Sequence, residues 1–331
     1  MKPLVSIVIC TEKGELENKA RLLIRSLRKF GGKLKDVPIH SYQPRKEKKI
    51  SSETIKFFEA NQVKYIDLDL NKDFKHYPIA NKIISSNHAE QNIASDIIVF
   101  LDTDVIFCNE PTAFILDEKT DFSARPVEIK NIGTDNISDE NVEYWQKLYN
   151  YLGVNEYSYV TTRVDEQRIL SYWNSGHVVA RTKVGLMQTW YSNFIKTTKE
   201  NIIPKQGILH TDQSTLAATV SSLKLNVQQL PNAYNYPINL QKLLTGNKLL
   251  ITNLDHVVSL HYHDMFRECG IFNPTHEMSS LLTCEKGRWI KNELLASGVI
   301  PSIEGRAFNK LLANPLRKIV PHSLRTLMPK I

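Results

Sequence analysis

Two aspartates stand at the end of a strongly apolar stretch of the chain. Asp102 and Asp104 flank Thr103 and follow the run DIIVFL, whose continuous apolar character is typical of a strand buried on both faces. Open α/β sheets bind ligands where their strands end. Two ionised carboxylates repel each other there unless a cation lies between them, and oxygen ligands favour Mn²⁺ or Mg²⁺ bridging a diphosphate. The pattern therefore predicts a metal site, the alternative being two aspartates that cap a turn.

A second Asp-x-Asp sequence, Asp67-Leu68-Asp69, has a different context. Its carboxylates alternate with the apolar Ile66, Leu68 and Leu70, a pattern typical of the solvated face of an edge strand. The spacing of two aspartates is therefore uninformative by itself, and only the first pair is predicted to do chemistry.

Strand and helix patterns alternate along the first hundred residues. The predicted strands are Pro3–Cys10, Val37–Tyr42, Val63–Leu70 and Asp96–Leu101, and the predicted helices are Leu16–Phe30, Ser51–Ala60 and Ile79–Ala94. Such alternation predicts an α/β fold with a mostly parallel central sheet and helices on both sides.

The rest of the chain is less regular. Residues 127–166 are polar and aromatic and predict an insertion that packs over the sheet, after which we expect a strand at 177–180 and helices at 184–196 and 212–220. We predict a main domain over residues 1–285 and a basic helical C-terminal extension over 286–331. That extension mixes Arg and Lys with Leu and Ile, so it either lies on an anionic membrane or caps the core.

Composition narrows the class of protein. The chain has 331 residues, 42% of them hydrophobic and 23% charged, as in folded, water-soluble proteins. A net charge of +7 suits phosphate-bearing ligands or an anionic membrane and is too small to imply nucleic acid. The four cysteines include no C-x-x-C, and no stretch approaches the roughly 18 apolar residues of a membrane span. We therefore expect a cytoplasmic location, with association at the inner face of a membrane as the alternative.

The segment IIVFLDTDVIF resembles the Asp-x-Asp strand of glycosyltransferases with the GT-A fold, and especially glycosyltransferase family 8. That family carries further motifs in a fixed order, and this chain offers Lys82, Asn174-Ser175-Gly176, Asp212-Gln213, Leu230-Pro231-Asn232-Ala233-Tyr234-Asn235 and His261-Tyr262 in the same order. The resemblance extends from about Leu4 to about Asp264. It departs at the end, where the family continues to a Lys-Pro-Trp and this chain has HYHDMFRECG.

The resemblance implies a metal-dependent transferase. A sugar would move from a nucleotide diphosphate, preferably a UDP-sugar, to a glycan, lipid-linked or other hydroxyl acceptor, with retention of configuration. Asp102, Asp104 and His261 would hold Mn²⁺ or Mg²⁺. His263 is the alternative imidazole, because residues two apart on a strand share a face.

The resemblance also assigns roles around the metal. Lys82 would contact the diphosphate or its ribose, Asn174 and Gly176 would let the backbone approach the donor sugar, and Asp212 would act as a base or a positioning group. Ordinary alternatives are a solvated lysine, a plain turn and a helix cap formed by Thr211 or Asp212. The predicted donor site is completed by Thr103, Gln213 and Thr11, the last expected from its place after the first strand to meet the uracil ring.

Two other classes of protein remain to be weighed. Haloacid-dehalogenase-like phosphatases also use Asp-x-Asp after a strand, but usually on their first strand and with a later acidic pair that this chain does not supply at suitable spacing. A non-catalytic sugar- or membrane-binding module on the same fold is the second alternative, because a fold does not guarantee chemistry.

Overall fold

The computed structural model describes residues 2–244, 250–263 and 283–299. Its strands are β1 (Val5–Cys10), β2 (Ile39–Gln43), β3 (Val63–Asp67), β4 (Ile97–Leu101), β5 (Val105–Phe107), β6 (Phe122–Ala124), β7 (Tyr159–Thr161), β8 (Arg168–Leu170), β9 (His177–Arg181), β10 (Val227–Gln229), β11 (Tyr236–Pro237) and β12 (Ser259–His261). Its α-helices are α1 (Glu15–Phe30), α2 (Ser52–Ala60), α3 (Ala80–Asn92), α4 (Val142–Tyr151), α5 (Leu186–Lys199), α6 (Thr211–Ser222) and α7 (Glu285–Ala296).

Seven strands form the central sheet in the order β10-β6-β9-β4-β1-β2-β3. The pairs β1–β2, β1–β4, β2–β3 and β6–β10 are parallel, and β9 runs antiparallel to both of its neighbours. The predicted mostly parallel sheet is confirmed. Every residue of β4 is buried, as its continuous apolar sequence predicts.

Helices cover both faces of this sheet because successive side chains of a strand point in opposite directions. Val8, Ile98 and Phe100 pack on one face against α3, α5 and α6. Ile7 and Val99 pack on the other face against α1 and α2. The α/β layering expected from the sequence is therefore present.

Glu17 fixes the start of α1 relative to the start of α2. Its carboxylate accepts hydrogen bonds from the backbone N–H of Gly14 at 3.0 Å and of Ser51 at 2.8 Å, and from the Thr54 hydroxyl at 2.6 Å. Burial alone would raise the pKa of Glu17, but these hydrogen bonds outweigh it and lower the pKa. The helix that carries Lys19 is thus held in place by a buried carboxylate.

A smaller sheet, in the order β11-β12-β5, lies next to the end of β4. Strands β5 and β12 are antiparallel and place His261 opposite Val105. The helix α7 packs on α1, where Arg25 and Glu293 form an ion pair at 2.7 Å and the Phe30 and Trp289 rings meet at 5.0 Å.

The aromatic residues of 127–166 differ in exposure, and Tyr159 is half-buried. Tyr144, Trp145 and Tyr149 of α4 are buried, whereas Tyr151 and Tyr157 are exposed. The proposed boundaries at 127–166 and 285/286 stay predictions, and residues 300–331 of the predicted extension lie outside the described residues. Within the residues that the structure describes, no helix is both long and apolar enough to span a bilayer.

His40 gives the fold a predictable dependence on pH. It lies in β2, and its Nδ1 finds no hydrogen-bond partner in the described structure. Burial, helped by Lys64, lowers the pKa of His40 from 6.5 to about 4. The unfolded chain therefore takes up a proton before the folded chain does, so the free energy of unfolding should fall as pH drops from 6.5 towards 4.

Comparison with His40→Asn measures this contribution. The free energy of unfolding, measured with urea, should fall by roughly 1 kcal/mol more for the native chain than for the variant over that pH range. This amount is smaller than the full pKa shift implies, because solvent reaches part of the ring. Identical pH profiles for the two chains would contradict the assignment.

Candidate active site

Main-chain hydrogen bonds fix the segment that carries the two aspartates. The N–H of Asp102 donates to the carbonyl of Gly176 at 2.9 Å, and the carbonyl of Asp104 accepts from the N–H of Tyr262 at 3.1 Å. The antiparallel pairings β4–β9 and β5–β12 create these contacts. They bring the Asn174–Gly176 turn and His261 beside the end of β4.

Lys82, on α3, connects the first aspartate to Asp212. Its Nζ lies 3.0 Å from both carboxylate oxygens of Asp102, 3.2 Å from Ser175 Oγ and 3.7 Å from Asp212 Oδ2. Burial alone would lower the pKa of Lys82, but Asp102 and Asp212 outweigh burial and raise it. The site therefore places the Lys82 ammonium between two carboxylates, which favour its charged form.

Both carboxylate oxygens of Asp212 are engaged. Tyr77 donates its hydroxyl to Oδ1 at 3.3 Å, and Ser175 donates to Oδ2 at 2.6 Å. The indole N–H of Trp190 donates to the backbone carbonyl of Asp212 at 2.9 Å, and the residue is only 2% exposed. The predicted alternative of a helix cap is not what the structure shows, because α6 begins at Thr211 with no side-chain cap.

Asp104 faces a different set of groups. Its Oδ1 lies 3.1 Å from His261 Nε2 and its Oδ2 lies 3.7 Å from Lys19 Nζ. The rings of His261 and His263 have centroids 3.8 Å apart, so both imidazoles meet on one side of the site. Asp104, His261 and His263 offer ligand atoms that all lie within 4.8 Å of one another.

The two aspartates differ in acidity. Burial alone would raise the pKa of the Asp104 carboxyl, but His261, Lys19 and His263 outweigh burial and hold that pKa well below its usual range. Burial raises the pKa of Asp102, and the neighbouring Asp104 adds to the rise against the opposing effect of Lys82. Such divergence between close carboxyls is typical of functional sites.

The donor atoms suit a divalent cation. One carboxylate and two imidazoles form the O/N set that Mn²⁺ accepts, and His261 is only 4% exposed, so its ring is fixed by packing. Asp102 lies outside this three-residue cluster and is turned to Lys82. Its role as a metal ligand stays a prediction, as does the choice between His261 and His263.

The Asn-Ser-Gly segment forms a turn next to Asp102. Asn174 Oδ1 accepts a hydrogen bond from the N–H of Gly176 at 2.8 Å. A Cβ at Gly176 would lie 3.1 Å from Asp102 Oδ2, 3.1 Å from His261 Cε1 and 3.0 Å from Asn174 Oδ1. Glycine is therefore favoured here, because a Cβ would force the side chains of the site to shift by a few tenths of an ångström.

We expect Gly176→Ala to reduce turnover by about tenfold or more, because a displacement of a fraction of an ångström in the reacting groups is costly. The melting temperature should fall by only a few degrees, since either neighbouring carboxylate or imidazole can move slightly. Steady-state kinetics and thermal unfolding of the same preparations test this. An unchanged turnover number would show that the crowding is harmless.

The remaining predicted residues lie at the same edge of the sheet. Thr103 is buried between the two aspartates. Thr11 follows β1, is fully buried, and accepts a hydrogen bond from Ser41 at 2.8 Å. Gln213 is half-buried in the first turn of α6, next to Asp212. Contact of these three residues with a donor stays a prediction.

Three residues near the site were not predicted as functional from the sequence. Lys19 comes from α1, Tyr77 precedes α3, and Ser175 lies inside the Asn-Ser-Gly motif, of which only Asn174 and Gly176 were predicted to be functional. Lys19 and Tyr77 are far in sequence from Asp104 and Asp212, and no local pattern signals those contacts. For Ser175, its position between two motif residues could have indicated from the sequence that it belongs to the site.

Comparison with known proteins supports this interpretation of the fold and family. A family model described as the Rhodobacterales glycosyltransferase domain matches residues 7–224, well over half of the chain. No curated protein sequence matches the chain. The haloacid-dehalogenase alternative receives no support, and the family match favours an enzyme over a non-catalytic module.

Solved structures share the fold at low sequence identity. The galactosyltransferase LgtC, solved with donor and acceptor sugar analogues, is 13% identical with a TM-score of 0.51 and aligns over 98% of this chain and 100% of its own. The glycosyltransferase GlyE of Streptococcus pneumoniae TIGR4 is 16% identical with a TM-score of 0.51 over 90% of this chain. This chain covers 65% of GlyE, less than two thirds. The chain belongs to the Rhodobacterales glycosyltransferase domain family and is a glycosyltransferase, and it has the GT-A fold that LgtC and GlyE share.

Proposed function

We propose that this enzyme is a metal-dependent transferase of a sugar from a nucleotide diphosphate, preferably a UDP-sugar, to a hydroxyl of a glycan or lipid-linked acceptor, with retention. The observation that carries the proposal is the meeting of Asp104, His261 and His263 within 4.8 Å at the end of the buried strand β4. Family membership supports the sugar transfer, and the donor set supports the metal dependence.

Asp104 and the two imidazoles would hold Mn²⁺ or Mg²⁺. When bound, a divalent cation supplies Lewis-acid stabilisation of the negative charge that develops on a departing diphosphate. His261 is buried and the Asp104 side chain is only 18% exposed, which strengthens this stabilisation on their side of the site, whereas His263 is exposed. Asp102, turned towards Lys82, would either join the cation or keep the ammonium in position.

Lys82 and Asp212 would stabilise the charges of opposite sign that develop on the two sides of the breaking glycosidic bond. The Lys82 ammonium is held by Asp102 and Ser175 and would stabilise negative charge on the diphosphate or ribose. The Asp212 carboxylate would stabilise the positive charge that develops on the sugar carbon as the glycosidic bond breaks. Tyr77 and Ser175 orient that carboxylate, which supports a positioning and electrostatic role.

Release of UDP from a panel of UDP-sugars tests the proposal. The native enzyme is assayed with Mn²⁺, Mg²⁺ or EDTA, and slow hydrolysis removes the need for a known acceptor. We expect UDP to be released from one donor in the presence of a divalent cation. This release should stop when EDTA is added. If no donor turns over and UDP with Mn²⁺ produces no thermal shift, the proposed donor and metal dependence are wrong.

We further propose a cytoplasmic enzyme that touches an anionic membrane through its C-terminal segment. The last nineteen residues, 313–331, carry Arg317, Lys318, Arg325 and Lys330 among leucines and isoleucines and include no Asp or Glu. Basic residues near an anionic surface contribute about 1 kcal/mol each.

Deletion of residues 313–331 should therefore reduce co-sedimentation with vesicles of anionic phospholipid by more than about tenfold at low salt. Vesicles of zwitterionic lipid are the control and should bind both chains weakly. Equal partitioning of the full and shortened chains onto anionic vesicles would eliminate the membrane contact.

A further inference from the structure

Each aspartate of the Asp-x-Asp sequence faces its own lysine from a different helix. Lys82 of α3 contacts Asp102 at 3.0 Å, and Lys19 of α1 lies 3.7 Å from Asp104 Oδ2. The Lys19 side chain is 14% exposed and that of Asp104 is 18% exposed, so the contact is largely shielded from solvent. Lys19 is not part of any motif described above.

The two lysines are held differently by their aspartates. Lys82 donates hydrogen bonds to Asp102 and Ser175 at 3.0 and 3.2 Å. Lys19 approaches Asp104 at 3.7 Å, beyond hydrogen-bond distance, so that contact is electrostatic. A lysine ammonium is a compact charge on a flexible four-carbon stem, so its Nζ can approach any of several neighbouring anionic groups.

The charge of Lys19 has opposite effects on the two proposed ligands. A divalent cation on Asp104 would be repelled by the nearby ammonium, because the two charges are alike and solvent screens them little. A diphosphate bridging that cation would attract the same ammonium and offer it a charge-assisted hydrogen bond. Lys19 therefore disfavours the metal alone and favours the metal together with a diphosphate.

We propose that Lys19 is a diphosphate-binding residue that couples metal binding to nucleotide binding. In the ligand-free enzyme it neutralises Asp104, and with metal and nucleotide bound it transfers to a diphosphate oxygen. The inference rests on the proposed function and adds a residue and a binding order to it. Coupling of this kind is reciprocal, so the nucleotide raises metal affinity by the same factor as the metal raises nucleotide affinity.

The test compares Lys19→Met with the native enzyme by calorimetric titration of Mn²⁺, and then of UDP at saturating Mn²⁺. The variant should bind Mn²⁺ alone about threefold to tenfold more tightly and UDP about tenfold more weakly, the size of one charge-assisted contact. Inorganic pyrophosphate should lose affinity as UDP does, whereas uridine should be unaffected. Lys19→Arg should retain most of the coupling, because it keeps the charge.

Lys33→Met is the matched control. It removes one positive charge from an exposed position outside the site and should leave both affinities unchanged. The inference is overturned if Lys19→Met binds Mn²⁺ and UDP as the native enzyme does, or if it binds Mn²⁺ less tightly. Should Lys19→Met fail to fold, Lys19→Gln is titrated in its place with the same expected shifts.

The design separates this inference from the proposed function. If the native enzyme binds neither Mn²⁺ nor UDP, the proposed function itself fails. If it binds both and the two ligands strengthen each other equally in the native enzyme and in Lys19→Met, the proposed function stands and the role of Lys19 is wrong.

Discussion

Asp104→Asn should reduce metal-dependent UDP release by on the order of 10³-fold and abolish the thermal shift produced by Mn²⁺ with UDP. The amide keeps the size of the carboxylate and can still accept a hydrogen bond from His261, but it removes the negative charge that a cation requires. The fold should persist, because main-chain hydrogen bonds hold this segment. Initial rates and thermal unfolding with and without Mn²⁺ measure the two effects.

Asp69→Asn is the matched control for this substitution. Asp69 belongs to the second Asp-x-Asp sequence and is exposed beyond the end of the edge strand β3. The same chemical change there should leave turnover and the metal-dependent thermal shift intact. Comparable losses in both variants, or full activity in Asp104→Asn, would contradict the assignment of the metal site.

Lys82→Met should destabilise the enzyme by about 3 kcal/mol, because it leaves Asp102 and Asp212 without their shared cation in a largely buried site. Turnover should fall with it, since the ammonium is proposed to stabilise the diphosphate. Urea unfolding at neutral pH gives the stability and UDP release gives the turnover.

A second substitution isolates the electrostatic cause. In Lys82→Met with Asp102→Asn, one of the two stranded carboxylates is neutral, so part of the lost stability should return while turnover stays low. Lys224→Met removes the lysine of an exposed ion pair with Glu156 and should cause no measurable change in stability. A Lys82→Met variant as stable as the native enzyme would show that the buried ion pairs contribute nothing.

Sequence patterns predicted the elements of this fold because those elements have strong local signals. The apolar run before Asp102 became the fully buried β4. The strand predicted over Val63–Leu70 became the edge strand β3, which ends at Asp67, so Asp69 lies beyond it. The antiparallel direction of β9 had no such signal, because the periodicity of a strand is the same in both directions. The direction of β9 is set by its pairing with β4 and β6 in the folded chain.

Part of the candidate site was also predictable from local sequence motifs. Asp102, Asp104, His261 and Asp212 came from motifs, and the structure places them around the end of β4. The contacts of Lys19 and Tyr77 depend on how two helices pack against the sheet. Such contacts join residues far apart in the chain, so periodicity and spacing carry no information about them.

The main-chain hydrogen bonds at Asp102 and Asp104 fix the position of the site, whereas the side chains of these residues determine what it binds. Both bonds use backbone atoms, which every residue except proline supplies at its N–H. Exchange of the side chains at these two positions therefore changes the donor atoms while the neighbouring strands keep the segment in place. The proposed metal site is accordingly suited to redesign, since carboxylate, amide or imidazole donors can be tried on the same backbone.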